Sequence, residues 1–223
     1  MTPQEIARKI DHTLLKPEAT ESDIRRLCQE ARAHEFFAVC VNSRFVSLCA
    51  QELRGSSVKV AAVVGFPLGA MDTLSKAAEA ARAVEAGANE IDMVISIGGL
   101  KEKNWPFVAE DIRSVIRASG SARVKVILET ALLTTEEKRR ACEICRDEGA
   151  AFVKTSTGFV PGGATVDDIQ LMKGAVDGRC EIKASGGIRS LESALAMIEA
   201  GATRLGTSSG VLLVQGLHSS GGY

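Results

Sequence analysis

Two lysines stand where a lysine is costly. Lys154 closes the apolar run Ala151–Val153 and is followed by Thr155, Ser156, Thr157 and Gly158, and Lys183 sits in EIKASGG between an apolar stretch and a glycine pair. A buried ammonium is unfavourable unless paired or deprotonated, so such a residue either reaches back to water along its stem or is put to use. A pair of them offers one particular use. At about 5 Å and an effective dielectric of about 20, two ammonium groups repel by roughly 3 kcal/mol, about two pKa units, and desolvation pushes the same way. The free amine that results is the nucleophile that carbonyl addition needs.

A carboxylate is the natural companion. Asp92, in EIDMVI, is enclosed by Ile91, Met93, Val94 and Ile95; alone it reads as a satisfied hydrogen-bond acceptor, and beside two lysines it becomes a charge partner and proton relay. Asp11 is a second candidate, although it can equally terminate the first helix. His12 reads as structural more readily than as chemical. Glu129 ends a run of its own and reads as a supporting hydrogen-bonding residue. Lys59 and Lys125 fall at the starts of apolar runs and read as structural or solvated.

These side chains need a scaffold that brings them together. Apolar, β-branched runs recur as FFAVCV, VKVAAVV, EIDMVI, VKVILET, AFVKT, EIKAS and RLGTS, each separated by one longer helical pattern, and IDHTLL after an N-terminal helix supplies an eighth. One helix shows the grammar: Asp72 as cap, Leu74, Ala78, Ala81 and Val84 as an apolar stripe, and Gly87 as the left-handed stop. Gly-Ala pairs at Gly149 and Gly201 repeat the short helix-to-strand connection. Eight β/α units predict a (β/α)8 TIM barrel with an extra N-terminal helix, forming a single domain over 1–223 with a flexible tail from about 216. The alternative, an open doubly wound sheet, lacks the glycine-rich dinucleotide fingerprint. In a barrel, catalytic groups gather at the carboxyl ends of the strands, which is where Lys154 and Lys183 fall.

The same geometry locates an anion site. Gly186 and Gly187 follow the seventh strand, and Ser208 and Ser209 follow the eighth, the two loops where barrels often bind phosphate. Arg189 either adds charge there or faces solvent.

Composition bounds the remainder. The 223 residues carry 27 Lys plus Arg against 28 Asp plus Glu, so no global field favours nucleic acid or an anionic membrane. No stretch is long enough to span a bilayer and the first residues lack a signal-peptide core, which predicts a cytoplasmic protein. Six scattered cysteines read as free thiols, and Cys142-x-x-Cys145 lies inside a helical pattern with no partner set, so no metal is expected.

The ordered motifs DHTLLKP, VVGFPLG, EIDMVI, VKVILET, VKTSTGF, IKASGGIR and GTSSG resemble those of the 2-deoxyribose-5-phosphate aldolases, class I aldolases with a TIM-barrel fold, over nearly the whole chain. The resemblance implies reversible cleavage of 2-deoxy-D-ribose 5-phosphate to D-glyceraldehyde 3-phosphate and acetaldehyde, with no metal or organic cofactor. It implies that Lys154 forms the Schiff base, Lys183 tunes its pKa, Asp92 transfers protons with the aid of a water, and Asp11 belongs to the polar network. Thr157 and Gly158 would line the site, and the Gly186, Gly187, Ser208 and Ser209 loops would hold phosphate. Tyr223, at the end of the Ser/Gly-rich tail, matches a terminal tyrosine that assists proton movement in some relatives. Phe159 departs from relatives that carry a lysine after KTSTG, so no phosphate contact transfers to it. Small phosphorylated sugars and aldehydes are the implied partners, in a homodimer or homotetramer. Two other classes share the phosphate loops: a different Schiff-base aldolase or isomerase, and a phosphosugar-binding protein without lysine chemistry.

Overall fold

A computed structural model of the protein describes residues 1–217. Eight strands, β1 Ile10–Leu14, β2 Ala38–Asn42, β3 Lys59–Val64, β4 Glu90–Val94, β5 Arg123–Ile127, β6 Phe152–Lys154, β7 Glu181–Ser185 and β8 Arg204–Thr207, pair in parallel and in sequence order. β8 returns to β1, so the sheet closes as a barrel with no edge. The helices are α1 Pro3–Ala7, α2 Glu21–Ala33, α3 Val46–Glu52, α4 Thr73–Glu85, α5 Ile97–Lys101, α6 Trp105–Ala118, α7 Thr135–Asp147, α8 Val166–Val176, α9 Leu191–Ala200 and α10 Gly210–Val214. The expected barrel and its N-terminal helix are therefore present.

Local chemistry sets the helix ends. Thr20 and Thr134 begin α2 and α7 with capping boxes completed by Asp23 and Glu137, satisfying amides that would otherwise lack partners. Gly87 and Gly149 hold φ of +110° and +82° just past α4 and α7, where only glycine turns the chain without strain. Gly216 and Leu217 close the last turn of α10 through Leu213 and Leu212 carbonyls, and the tail beyond them, with Tyr223, lies outside the described residues.

The two faces of the barrel wall differ. Outward-facing Val39, Val60, Ile91, Met93, Val126, Val153, Ile182 and Leu205 join the helices in the main apolar core. Inside, the buried apolar cluster is small: Leu15, Cys40, Ala61 and Val63, with Phe66 against it. Polar and charged side chains fill much of the remaining interior.

One helix packs differently from its expected stripe. Leu74 is 80% exposed, Ala78 is exposed and Ala81 and Val84 are half-buried, while α4 buries Lys76, Ala80 and Ala83. In a helix so rich in alanine several faces are small enough to dock, and the ion pair of Lys76 with Asp111 of α6 selects the one used.

Candidate active site

Strand register brings the charged residues level. Lys154 is the register partner of Lys183 across β6 and β7, Asp92 that of Lys125 across β4 and β5, and Lys183 that of Arg204 across β7 and β8. In parallel strands, partners point to the same face, here the interior.

Asp92 is the hub. Its Oδ2 accepts from Lys154 Nζ at 2.9 Å and from Lys183 Nζ at 2.8 Å, while Oδ1 accepts from Lys125 Nζ at 2.7 Å. Lys183 also bonds Asp11 Oδ2, whose other oxygen accepts from Arg204 at 2.9 Å. Glu90 ties Lys125 at 2.6 Å to Arg204 at 2.9 Å. Three lysines and one arginine thus face three carboxylates in direct contact, a surplus of one positive charge in a buried space. The cations are also held by rings: the Arg204 guanidinium lies 3.5 Å from the Phe37 ring centroid.

The charges set each other's protonation. Burial alone would raise the Asp92 carboxyl, but Lys125, Lys154 and Lys183 hold it well below the usual carboxylate range. Asp11 is treated alike by Lys183, Lys125 and Arg204, against burial, and comes down to about 2. Burial would lower Lys183, yet Asp11 and Asp92 keep it above the ordinary lysine range. Mutual repulsion of the two lysines is therefore offset by Asp92, the charge partner that they share, and by Asp11.

Lys154, Lys183, Asp92 and Asp11 are brought together, but Lys183 is the middle residue of β7 rather than a strand end, and Asp11 lies in β1 rather than ending a helix. Lys125 needs correction. Lys59, at its strand start, is exposed, but Lys125 is the third residue of β5 and fully buried, because the strand begins at Arg123 and its middle residue turns inward. Glu90, Arg204 and Cys40 went unnoticed. Cys40 lies 4.0 Å from Asp92 Oδ2, and burial pushes its thiol up. A signal for one of them existed: Glu90 lies two residues before Asp92 in one strand, so the two share a face that calls for cations.

Glu129 is a supporting residue with an unusual backbone. It sits at φ +56°, and its buried carboxylate accepts from the Thr157 amide at 3.3 Å and from the Thr157 hydroxyl. Burial pushes this carboxyl upward. It thereby fixes the loop after β6, where Phe159 N donates to Thr157 Oγ1 at 3.1 Å.

A cavity of about 280 Å³ opens beside that loop, lined by Gly158, Phe159, Gly163, Gly186, Gly187 and Arg189 among others. A separate gap of about 10 Å³ lies between Gly186, Gly187 and Ser208. Gly186 and Gly187 hold φ of +84° and +77°, and a Cβ on Gly186 would approach Gly163 Cα to 2.9 Å. The two glycine-serine loops therefore meet, and Arg189 lines their cavity. Ser208 is exposed there, while Ser209 is buried with its amide bonded to Thr207 Oγ1 at 3.0 Å. Phe159 packs edge-on against Phe66, with ring centroids 5.2 Å apart.

All six cysteines are buried and free, Cys142 and Cys145 among them. Among the described residues no helix is long and apolar enough to cross a membrane.

Residues 6–217 match the family model described as DeoC/LacD family aldolase. The chain is 57% identical to a deoxyribose-phosphate aldolase of Bdellovibrio bacteriovorus over 219 residues, covering 98% of this chain and all of that one. It is also 57% identical to deoxyribose-phosphate aldolase 1 of Bacillus licheniformis, over the full length of both. Among solved structures, the deoxyribose phosphate aldolase of Aeropyrum pernix, described as a tetramer, superposes with a TM-score of 0.90 at 33% identity, covering 96% of this chain and 91% of that one.

Proposed function

The chain belongs to the DeoC/LacD family of aldolases, and on that premise we propose that it cleaves 2-deoxy-D-ribose 5-phosphate reversibly to D-glyceraldehyde 3-phosphate and acetaldehyde through a Schiff base on Lys154. One observation carries the reading: Lys154, which closes β6, and Lys183, level with it in the middle of β7, each reach the same oxygen of Asp92. The near-complete coverage of curated relatives with this name supports the substrate.

The carboxylate contacts assign the roles. Lys154 is the lysine of the cluster with a single carboxylate contact, while Lys125 and Lys183 are each held by two or more. As the free amine, Lys154 attacks C1 of the open-chain sugar. The carbinolamine hydroxyl takes a proton and leaves as water, giving the iminium. Lys183, held protonated by Asp11 and Asp92, is the group able to donate, and Asp92, held ionised, is the group able to accept. Asp92 then takes the C3 hydroxyl proton through a water. The C2–C3 pair moves into the iminium, and D-glyceraldehyde 3-phosphate departs. The enamine left on Lys154 is protonated at C2, and water hydrolyses the resulting imine to acetaldehyde and free Lys154. Each proton taken is returned, so the cycle closes.

The substrate phosphate fits the loops of Gly186, Gly187, Ser208 and Ser209, with Arg189 supplying charge to the same cavity. Gly158 lines that cavity, and Thr157 precedes it in the loop after β6. A cytoplasmic homo-oligomer is the proposed form, and the tetrameric relative supports its oligomeric part.

Borohydride reduction in the presence of acetaldehyde, followed by peptide mass mapping, tests the assignment. A hydride-stable ethyl adduct on the peptide bearing Lys154 is expected. Binding without adduct would point to a passive phosphosugar-binding protein, and an adduct on another lysine would move the nucleophile.

A further inference from the structure

His12 has no part in the chemistry above, yet it is 3% exposed and adjoins the proposed phosphate loop from behind. As the neighbour of Asp11 on β1 it points to the opposite side of the wall, away from the barrel interior. Its Nε2 lies 2.7 Å from Glu30 Oε2 of α2, and its ring lies 5.0 Å from that of Phe36. The Nδ1 atom is buried and has no hydrogen-bond partner among the described residues. It abuts Gly210, the residue after Ser208 and Ser209: a Cβ there would fall 2.9 Å from Nδ1 and 3.1 Å from a Phe36 ring carbon. Gly210 does not need its freedom for a positive φ. It is small because His12 and Phe36 occupy the space.

Ser208 stands between two openings. On one side is the narrow space shared with Gly186 and Gly187. On the other is a cavity of about 440 Å³ lined by His12, Asp23, Arg26 and Glu30 as well as Ser208. The loop is thus a thin partition, and the His12 ring is the solid body seated against it. The Nε2 contact with Glu30 fixes the ring and lowers the Glu30 carboxyl, first through that hydrogen bond.

We infer that His12, clamped by Glu30, is a positioning residue that sets the turn Ser208–Gly210 for phosphate. The inference rests on the phosphate reading of that loop. Without the clamp the ring tilts, Gly210 follows, and the amides and hydroxyls of the turn lose their alignment with the anion. Lys154, reached through β6, is left in place, so the effect belongs to phosphorylated ligands.

The test uses His12→Phe, which keeps a ring against Phe36 but removes both nitrogens, and Glu30→Ala, which releases the clamp from a part-exposed carboxylate. Steady-state kinetics are measured with 2-deoxyribose 5-phosphate and with unphosphorylated 2-deoxyribose, together with inhibition by inorganic phosphate. In both variants KM for the phosphorylated sugar and the phosphate inhibition constant rise roughly tenfold, the weight of one misaligned hydrogen bond to an anion, and kcat/KM for 2-deoxyribose changes less than about twofold. Equal losses on the two sugars mean a merely structural role and overturn the inference, as does an unchanged phosphate constant. Should His12→Phe not fold, Glu30→Ala decides alone. Borohydride trapping on the unaltered protein is run alongside: failure there removes the aldolase reading, while normal trapping with unselective variants removes only the role of His12.

Discussion

The strand β4 has a buried ion pair on either side of it, and the two are built on different plans. Outside the barrel, Lys76 of α4 meets Asp111 of α6 at 2.6 Å and donates to the Val94 carbonyl at 3.0 Å, while Thr73 donates to the other Asp111 oxygen at 2.9 Å. One cation faces one carboxylate, and both are closed from solvent. Inside, two residues earlier on the strand, Asp92 is shared by three lysines, and the connected set carries four cations for three carboxylates. A balanced pair satisfies both of its members. An unbalanced cluster leaves one cation, Lys154, with a single carboxylate contact, and Lys154 is the member that closes its strand at the carboxyl end, where barrels place their chemistry.

The comparison breaks most sharply at Lys154. Lys154→Ala removes the amine that no neighbour supplies in the same position, and turnover is expected to fall by about four orders of magnitude or more, while circular dichroism and thermal unfolding show a folded barrel. Retained turnover would assign the cluster a purely structural part. Lys183→Leu is expected to cost about two to three orders of magnitude in kcat, because it removes the ammonium that holds both Asp11 and Asp92. Single-turnover trapping should show the loss in imine formation itself. A Lys183→Leu protein that traps acetaldehyde at the normal rate would contradict that role.

How far this arrangement can be read without coordinates depends on distance along the chain. The strands are local events, so apolar runs such as EIKAS coincide with β7 and the others with their strands to within a residue or three. Lys183, expected at a strand end, is the middle residue of β7 and meets Lys154 because the ladder sets the two level, whereas Lys154 is legible because it closes β6. Lys125 is not: it looks like a strand start until Arg123 is found to open β5, and its partners Glu90 and Asp92 lie on another strand. Lys76 fails for a related reason. Leu74 offers the stronger apolar signal, but the partner that decides which face of α4 is buried is Asp111, which sits 35 residues away.

That outer pair supplies the control. Lys76→Met leaves Asp111 buried without its cation, and about 3 to 5 kcal/mol of stability is expected to go. Activity per folded molecule should change less than about twofold, because the inner face of β4 keeps its partners. Replacing both members, as Lys76→Met with Asp111→Leu, should restore most of the stability, since apolar groups of similar size can substitute for a closed pair. Denaturant titration and kcat on the same preparations decide this. If kcat follows stability in the single variant, the two sides of β4 are not independent.

The smallest expected effect lies in the pH dependence of the inner cluster. Asp11 is ionised down to about 2 in the folded protein, against an ordinary value of 3.8, because Lys183, Lys125 and Arg204 outweigh its burial. A carboxyl lowered by folding stabilises the native state above its unfolded value and loses that contribution as pH falls through the folded one. Wild-type protein should therefore carry an advantage of order 2 kcal/mol over Asp11→Asn near neutral pH, and the gap should close as pH falls from about 4 toward about 2. Asp111→Asn, in the balanced pair, serves as the reference for losing one buried carboxylate. Thermal unfolding across that range distinguishes the cases: a gap for Asp11→Asn that stays constant down to pH 2 would mean that its contribution is packing, and that the cluster is not held by charge at that corner.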